Sequence, residues 1–133
     1  MSNREKVLRK LSRRSYSSYE LIFKLRSEMP EIKEITDEFL KKGYINDEEW
    51  LKDFIKSEER KGKGPKAIGA KLYSKGFPRE TIESALLMTE PQEAIQTALK
   101  KELKKGKDKP KIIGALVRKG YSWDDINLIT DML

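Results

Sequence analysis

Apolar residues in this chain recur at three- and four-residue steps and nowhere sustain strand-like alternation, which places them on single faces of short helices. In the middle of the chain, Trp50, Leu51, Phe54 and Ile55 mark one helix, Ile68 and Leu72 a second, and Ile82, Ala85 and Leu86 a third. The pattern then repeats. Ile68, Leu72, Gly76, Phe77 and Ile82 return 44 residues later as Ile112, Leu116, Gly120, Tyr121 and Ile126, and Lys75 returns as Lys119. Upstream, Leu21, Leu25, Ile35, Phe39 and Leu40 precede Ile68, Leu72, Ile82, Leu86 and Leu87 by 47. A fixed period of this length signals stacked helical units. The expected fold is all-α: three tandem three-helix repeats, residues 1–43, 44–89 and 90–133, forming an elongated, curved body. Each unit is too small to be stable alone and must pack on its neighbour.

Capping chemistry sets the helix boundaries. Ser17-Ser18-Tyr19-Glu20, Asn46-Asp47-Glu48-Glu49, Thr89-Glu90-Pro91-Gln92 and Ser122-Trp123-Asp124-Asp125 each offer a side-chain acceptor to the first free backbone N–H groups. Pro30, Pro65, Pro78, Pro91 and Pro110 suit first helical turns, where a missing N–H costs nothing. Gly43, Gly76 and Gly120 suit helix ends that turn left-handed.

Composition narrows the chemistry. Among 133 residues there is no Cys and no His, which removes disulfides, thiolate metal sites, the Ser-His-Asp triad and the commonest general base near neutral pH. No catalytic residue, metal site or cofactor is expected. No apolar run is long enough to span a bilayer, and Met1-Ser2-Asn3-Arg4-Glu5-Lys6 leads into a charged amphipathic stretch, so the cytoplasm is the expected compartment. Paired carboxylates such as Asp124 with Asp125 fit helix starts.

Charged residues make up 38% of the chain and the net charge is +7, so the distribution of the excess matters. Residues 60–75 hold six basic residues and no acidic one, residues 4–14 hold six against Glu5 alone, and residues 100–111 hold seven Lys against two acids. Residues 31–53 hold eight acidic residues against four Lys. In the helix after Pro91, Ile95, Ala98, Leu99 and Leu103 share one face and Lys100, Lys101 and Lys104 the other. In the helix after Pro110, Lys111 and Arg118 share an outer face. Such faces suit phosphates, with attraction that falls as salt rises, or else are solvated surface. The candidate contact residues are Arg13 and Arg14; Arg60, Lys61, Lys63 and Lys66; and Lys100, Lys101, Lys104, Lys111 and Arg118. The Lys100–Lys111 segment is the point expected to bend.

Arg60-Lys61-Gly62-Lys63-Gly64-Pro65-Lys66 is the most unusual string. Its glycines let backbone approach a ligand closely ahead of a helix N-terminus, although the spacing is not that of a nucleotide-binding P-loop. Read alone, the string is better accounted for by a plain turn with a proline-initiated helix. Trp50, Phe54, Phe77 and Tyr121 sit at core spacing; Tyr16 and Tyr73 are candidates for exposure and base stacking.

These residues resemble the bacterial RecX family, regulators of the RecA recombinase. The resemblance is carried by Arg14-Ser15-Tyr16-Ser17-Ser18-Tyr19-Glu20-Leu21 with Lys24-Leu25, by Gly43-Tyr44-Ile45-Asn46-Asp47 with Trp50, and by Phe54-Ile55 leading to Arg60-Lys61-Gly62-Lys63-Gly64-Pro65. Ile68, Leu72 and Lys75-Gly76-Phe77 with Ile82, then Leu116, Arg118 and Lys119-Gly120-Tyr121 with Ile126, complete it. Met29-Pro30 stands where the family usually turns with a glycine. The resemblance implies three tandem three-helix units that lodge in the groove of the RecA–DNA filament. It implies inhibition of strand exchange, ATP hydrolysis and SOS-repressor self-cleavage, with weaker, salt-sensitive binding to single- and double-stranded DNA. The chain is expected to be a monomer and not an enzyme. The alternative is a direct DNA-binding protein of tandem helix-turn-helix-like units, though no helix carries a set of Arg, Asn and Gln side chains suited to base edges.

Overall fold

The computed structural model describes residues 1–133 and contains nine helices and no strand. They are α1 (Asn3–Arg13), α2 (Ser18–Leu25), α3 (Ile32–Lys41), α4 (Asp47–Arg60), α5 (Pro65–Ser74), α6 (Arg79–Leu86), α7 (Pro91–Lys104), α8 (Lys109–Arg118) and α9 (Trp123–Thr130). The bounds of α4, α5 and α6 reproduce those of α7, α8 and α9 at a shift of 44 residues.

Three successive apolar clusters replace a single core. Val7, Leu21, Leu25, Ile35 and Phe39 anchor the first, Ile55, Ile68, Leu72 and Phe77 the second, and Ile95, Ile112, Leu116 and Ile126 the third. Ile45, two residues past position 43, closes the first cluster, and Met29 fills it from the α2–α3 turn. The exposed area is 8628 Å², against about 7,200 Å² for a compact monomer of this mass. The excess is what a body with three small cores should show.

Most caps form as the sequence suggests. Ser17, Asn46 and Ser122 accept from the N–H groups of Glu20, Glu49 and Asp125. Gly43, Gly76 and Gly120 have φ of 78°, 89° and 96°. Other expectations need correction. Glu20 does not reach back to complete a capping box; it is buried and bound by basic side chains. At α7 the N-cap is Glu90, with no side-chain cap, and Thr89 donates instead to the Leu86 carbonyl. The Glu90 N–H is held by Glu59 across from α4, at 2.8 Å, so a neighbouring group of helices fixes this helix start. Pro30 lies in the turn before α3 and Pro78 is the extended N-cap of α6, so neither sits in a first helical turn.

The joints between groups differ in kind. Between α1–α3 and α4–α6, side chains make the connection. Asp47, at the start of α4, accepts from the N–H of Ser18 (2.7 Å) and from its hydroxyl. Its carboxylate thus serves the positive ends of two helices at once. The Tyr19 and Phe77 rings pack 4.8 Å apart, and Glu20 on α2 bonds Lys75 at the end of α5. Between α4–α6 and α7–α9, backbone meets backbone: the Gly64 N–H donates to the Lys119 carbonyl (2.7 Å) and the Lys66 N–H to the Gly120 carbonyl (3.0 Å). A β-carbon on Gly64 would lie 2.6 Å from the Gly120 carbonyl carbon.

Tyr121, 2% exposed, locks this second joint by donating its hydroxyl to the Gly62 carbonyl at 2.8 Å. Burial, with Glu59 nearby, raises its ionisation well above the usual phenol range, so it stays a donor. Tyr121→Phe should destabilise the chain by about 1 kcal/mol, the net worth of a buried hydrogen bond. Urea unfolding would show it beside Tyr44→Phe, whose ring is 53% exposed. Equal midpoints for the two variants would remove the lock.

Candidate partner-binding surface

The glycine-rich loop after α4 is placed by the second joint. The α5 N-terminus begins at Pro65, and its nearest backbone donors, on Gly64 and Lys66, are occupied by the α8–α9 turn. The glycines are required because two backbones touch there, so they form no open anion cradle. The side chains of Arg60, Lys61 and Lys66 still face solvent, and Lys63 is half-buried.

The joint brings together charges far apart in sequence. Lys101 Nζ lies 3.5 Å from the Arg60 carbonyl, so α7 contributes directly to the loop's basic edge. Lys119 sits in the same cluster, and its ammonium is lowered from the usual lysine range. Burial is the main cause; Glu102 opposes it, and Lys63, Lys101 and Lys105 add to it. Arg60, Lys63 and Lys101 therefore belong to one basic edge, while the neighbouring Lys61 turns to Glu58. Lys100, Lys104, Lys111 and Arg118 are exposed, but no contact ties them to that edge. Arg13 is exposed at the end of α1. Arg14 is committed within the molecule: it bonds Glu20 at 3.1 Å and lies 3.5 Å over the Tyr16 ring.

Leu103 corrects the helical phasing of α7. It is 45% exposed, and the neighbouring Glu102 is covered in its place. The last turn of α7 runs past the apolar cluster, and Lys105, Lys107 and Lys119 close over the Glu102 carboxylate. The hydrogen bond from Lys107 is the main cause that lowers its protonation, against desolvation, with further help from the lysine charges. The lysine-rich segment is thereby folded back on α7.

Two buried carboxylates organise a cleft of about 770 Å³ between α2 and the α4–α5 pair. Glu20, from α2, gathers Arg14, Lys24 (3.6 Å) and Lys75 (3.3 Å). Glu58, from α4, gathers Lys71 and Lys61 (3.8 Å). Burial opposes the charge on Glu20, but the Arg14 hydrogen bond and the Lys75 and Arg14 charges outweigh it and hold the carboxyl below its usual range. Aromatic rings complete the walls: Phe23 is 47% exposed, and Trp50 and Phe54 stack with centroids 5.1 Å apart. Of the cleft's cations, Lys61, Lys71 and Lys75 fall within the basic run 60–75, although only Lys61 was among the candidate contact residues. Lys24 lies outside every run and meets them because two groups of helices pack. A signal was nonetheless present: the 44-residue shift that pairs Lys75 with Lys119 also pairs Glu58 with Glu102 and Lys61 with Lys105.

A family model described as RecX, second three-helix domain, matches residues 46–86, from the N-cap of α4 to the last residue of α6. The chain is 28% identical to the regulatory protein RecX of Streptococcus uberis over 110 residues, covering 77% of this chain and 43% of that protein. It is 33% identical to the regulatory protein RecX of Salmonella typhi over 93 residues, covering 65% and 56%. With the regulatory protein RecX of Cronobacter sakazakii it shares 29% identity along 145 aligned positions, covering 94% and 88%. The family model and these relatives agree in making the chain similar to the RecX family. It spans about half the length of the first curated RecX proteins it matches.

The glycine-rich basic string Arg60–Lys66 lies within the matched three-helix domain. That string is anchored by the α8–α9 turn, which lies beyond the match. The basic edge thus belongs to two groups of helices jointly. No helix is long and apolar enough to cross a membrane.

Proposed function

We propose that this chain is a non-enzymatic regulator that binds the RecA–DNA filament and inhibits its recombinase, ATPase and coprotease activities, modulating DNA repair and the SOS response. The observation that carries the proposal is the basic edge at the second joint, where Arg60 and Lys63 meet Lys101 from α7, with Lys61 exposed next to them in the chain. An extended body of successive small cores presents such edges along its length, which suits a partner with helical repetition. Arg13, Lys66, Lys100, Lys104, Lys111 and Arg118 extend the contact surface, and Arg14 shapes it through Glu20. Binding to naked single- or double-stranded DNA is weaker and falls with salt, and the chain acts as a monomer.

The test is steady-state ATP hydrolysis by RecA from the same organism on single-stranded DNA, with the chain titrated in at fixed moderate salt. Inhibition below one chain per RecA is expected, and Lys61→Glu with Lys63→Glu should weaken it about tenfold or more through charge reversal at the edge. Full inhibition by the double variant would remove the loop from the contact surface. No inhibition by the unaltered chain at saturation would overturn the proposal.

A further inference from the structure

We infer that the cleft between α2 and α4–α5 is a single-stranded nucleic-acid site, which takes an unpaired base between its aromatic walls and the flanking phosphates on its lysines. Three observations converge on it. The volume, about 770 Å³, suits a nucleotide-sized ligand. Phe23, with the Arg26 guanidinium 4.9 Å over its ring, still presents nearly half its surface to the cleft that Trp50 and Phe54 also line, although aromatic rings in so apolar-poor a chain are needed for its small cores. Lys24 and Lys61 stand 3.6 and 3.8 Å from their carboxylates, at salt-bridge distance but without hydrogen bonds. Glu20 and Glu58 hold these ammonium groups in place and leave their N–H donors free for phosphate oxygens.

An apolar ring beside tethered cations is the arrangement by which proteins hold single strands with little sequence preference. A duplex keeps its base faces stacked and cannot offer one to Phe23. Polyanions without bases can reach the lysines but gain nothing from the rings. The site stands whether or not the chain regulates a recombinase, so naked oligonucleotides are the proper probe.

The chain has two tryptophans, Trp50 in the cleft and Trp123 on α9. With Trp123→Phe, tryptophan emission of the full chain reports the cleft alone. A short oligothymidylate should quench it at about tenfold lower phosphate concentration than inorganic polyphosphate, polyglutamate or a duplex of equal length. Phe23→Leu should remove that advantage while leaving polyphosphate binding unchanged. Equal quenching by polyphosphate or polyglutamate would make the cleft a general anion site and overturn the inference. So would oligonucleotide binding seen by anisotropy with Trp50 emission unchanged, or no binding at low salt. The comparison of ligands on the single-tryptophan chain decides the matter even if Phe23→Leu loosens the α2–α5 contact.

Discussion

Gly120→Ala should lower stability by about 3 kcal/mol, from left-handed strain and backbone overlap together. The backbone there has φ of 96°, a conformation costly for any residue with a β-carbon. The added carbon would also lie 2.4 Å from the Ala67 nitrogen and 2.8 Å from the Ala67 β-carbon. Neither neighbour can yield without breaking the Gly64–Lys119 and Lys66–Gly120 hydrogen bonds. Gly106→Ala is the matched control: φ is 74°, and nothing lies within 4 Å of the added carbon. It should cost about 1 kcal/mol, the conformational part alone. Thermal unfolding of both variants would separate the contributions, with the Gly120 variant melting several degrees below the Gly106 one. Equal melting temperatures would show that the second joint is not packed backbone to backbone.

Glu20→Gln should cost about 2 kcal/mol at neutral pH, and the loss should vanish in acid. Glu20 is 2% exposed, and its removal leaves Arg14, Lys24 and Lys75 facing one another. The figure is kept below that of a fully buried ion pair because the three partners are one-third to one-half exposed and screened by solvent. Its carboxyl titrates below the usual range when folded. A depressed folded-state value gives stability that is present above the unfolded value of about 4.3 and is lost as pH falls through the folded one. The two proteins should therefore differ in urea midpoint at pH 7 and converge progressively as pH falls below the unfolded value and through the lower folded one. A constant difference at all pH values would mean that Glu20 acts through packing and not through charge.

The helices were legible in the sequence because their signals are local. Ser17, Asn46 and Ser122 announce helix starts within four residues, and Ile68 with Leu72 or Ile112 with Leu116 announce buried faces within one turn. The misreadings arose where a neighbouring group of helices decides. Glu20 looks like a cap until Lys75 arrives from 55 residues away, and Glu90 needs no cap of its own because Glu59 supplies the acceptor. Leu103 follows the apolar period of α7, but the helix has already run off its core. For the surface, runs of like charge pointed to Arg60, Lys61 and Lys63. They held Lys71 and Lys75 too, but not Lys24, and they could not show that all three converge on Glu20 and Glu58.

The attachment of the α5 N-terminus to the α8–α9 turn has a consequence for how the chain is made. Synthesis delivers residues 64–66 long before residues 119–121, so the two amides that await Lys119 and Gly120 begin life bonded to water. The matched three-helix domain can collapse on Ile68 and Leu72 early, but the loop that leads into α5 takes its final path only when the last third of the chain has emerged. The glycine-rich basic loop is thus the last part of its own helical group to become rigid.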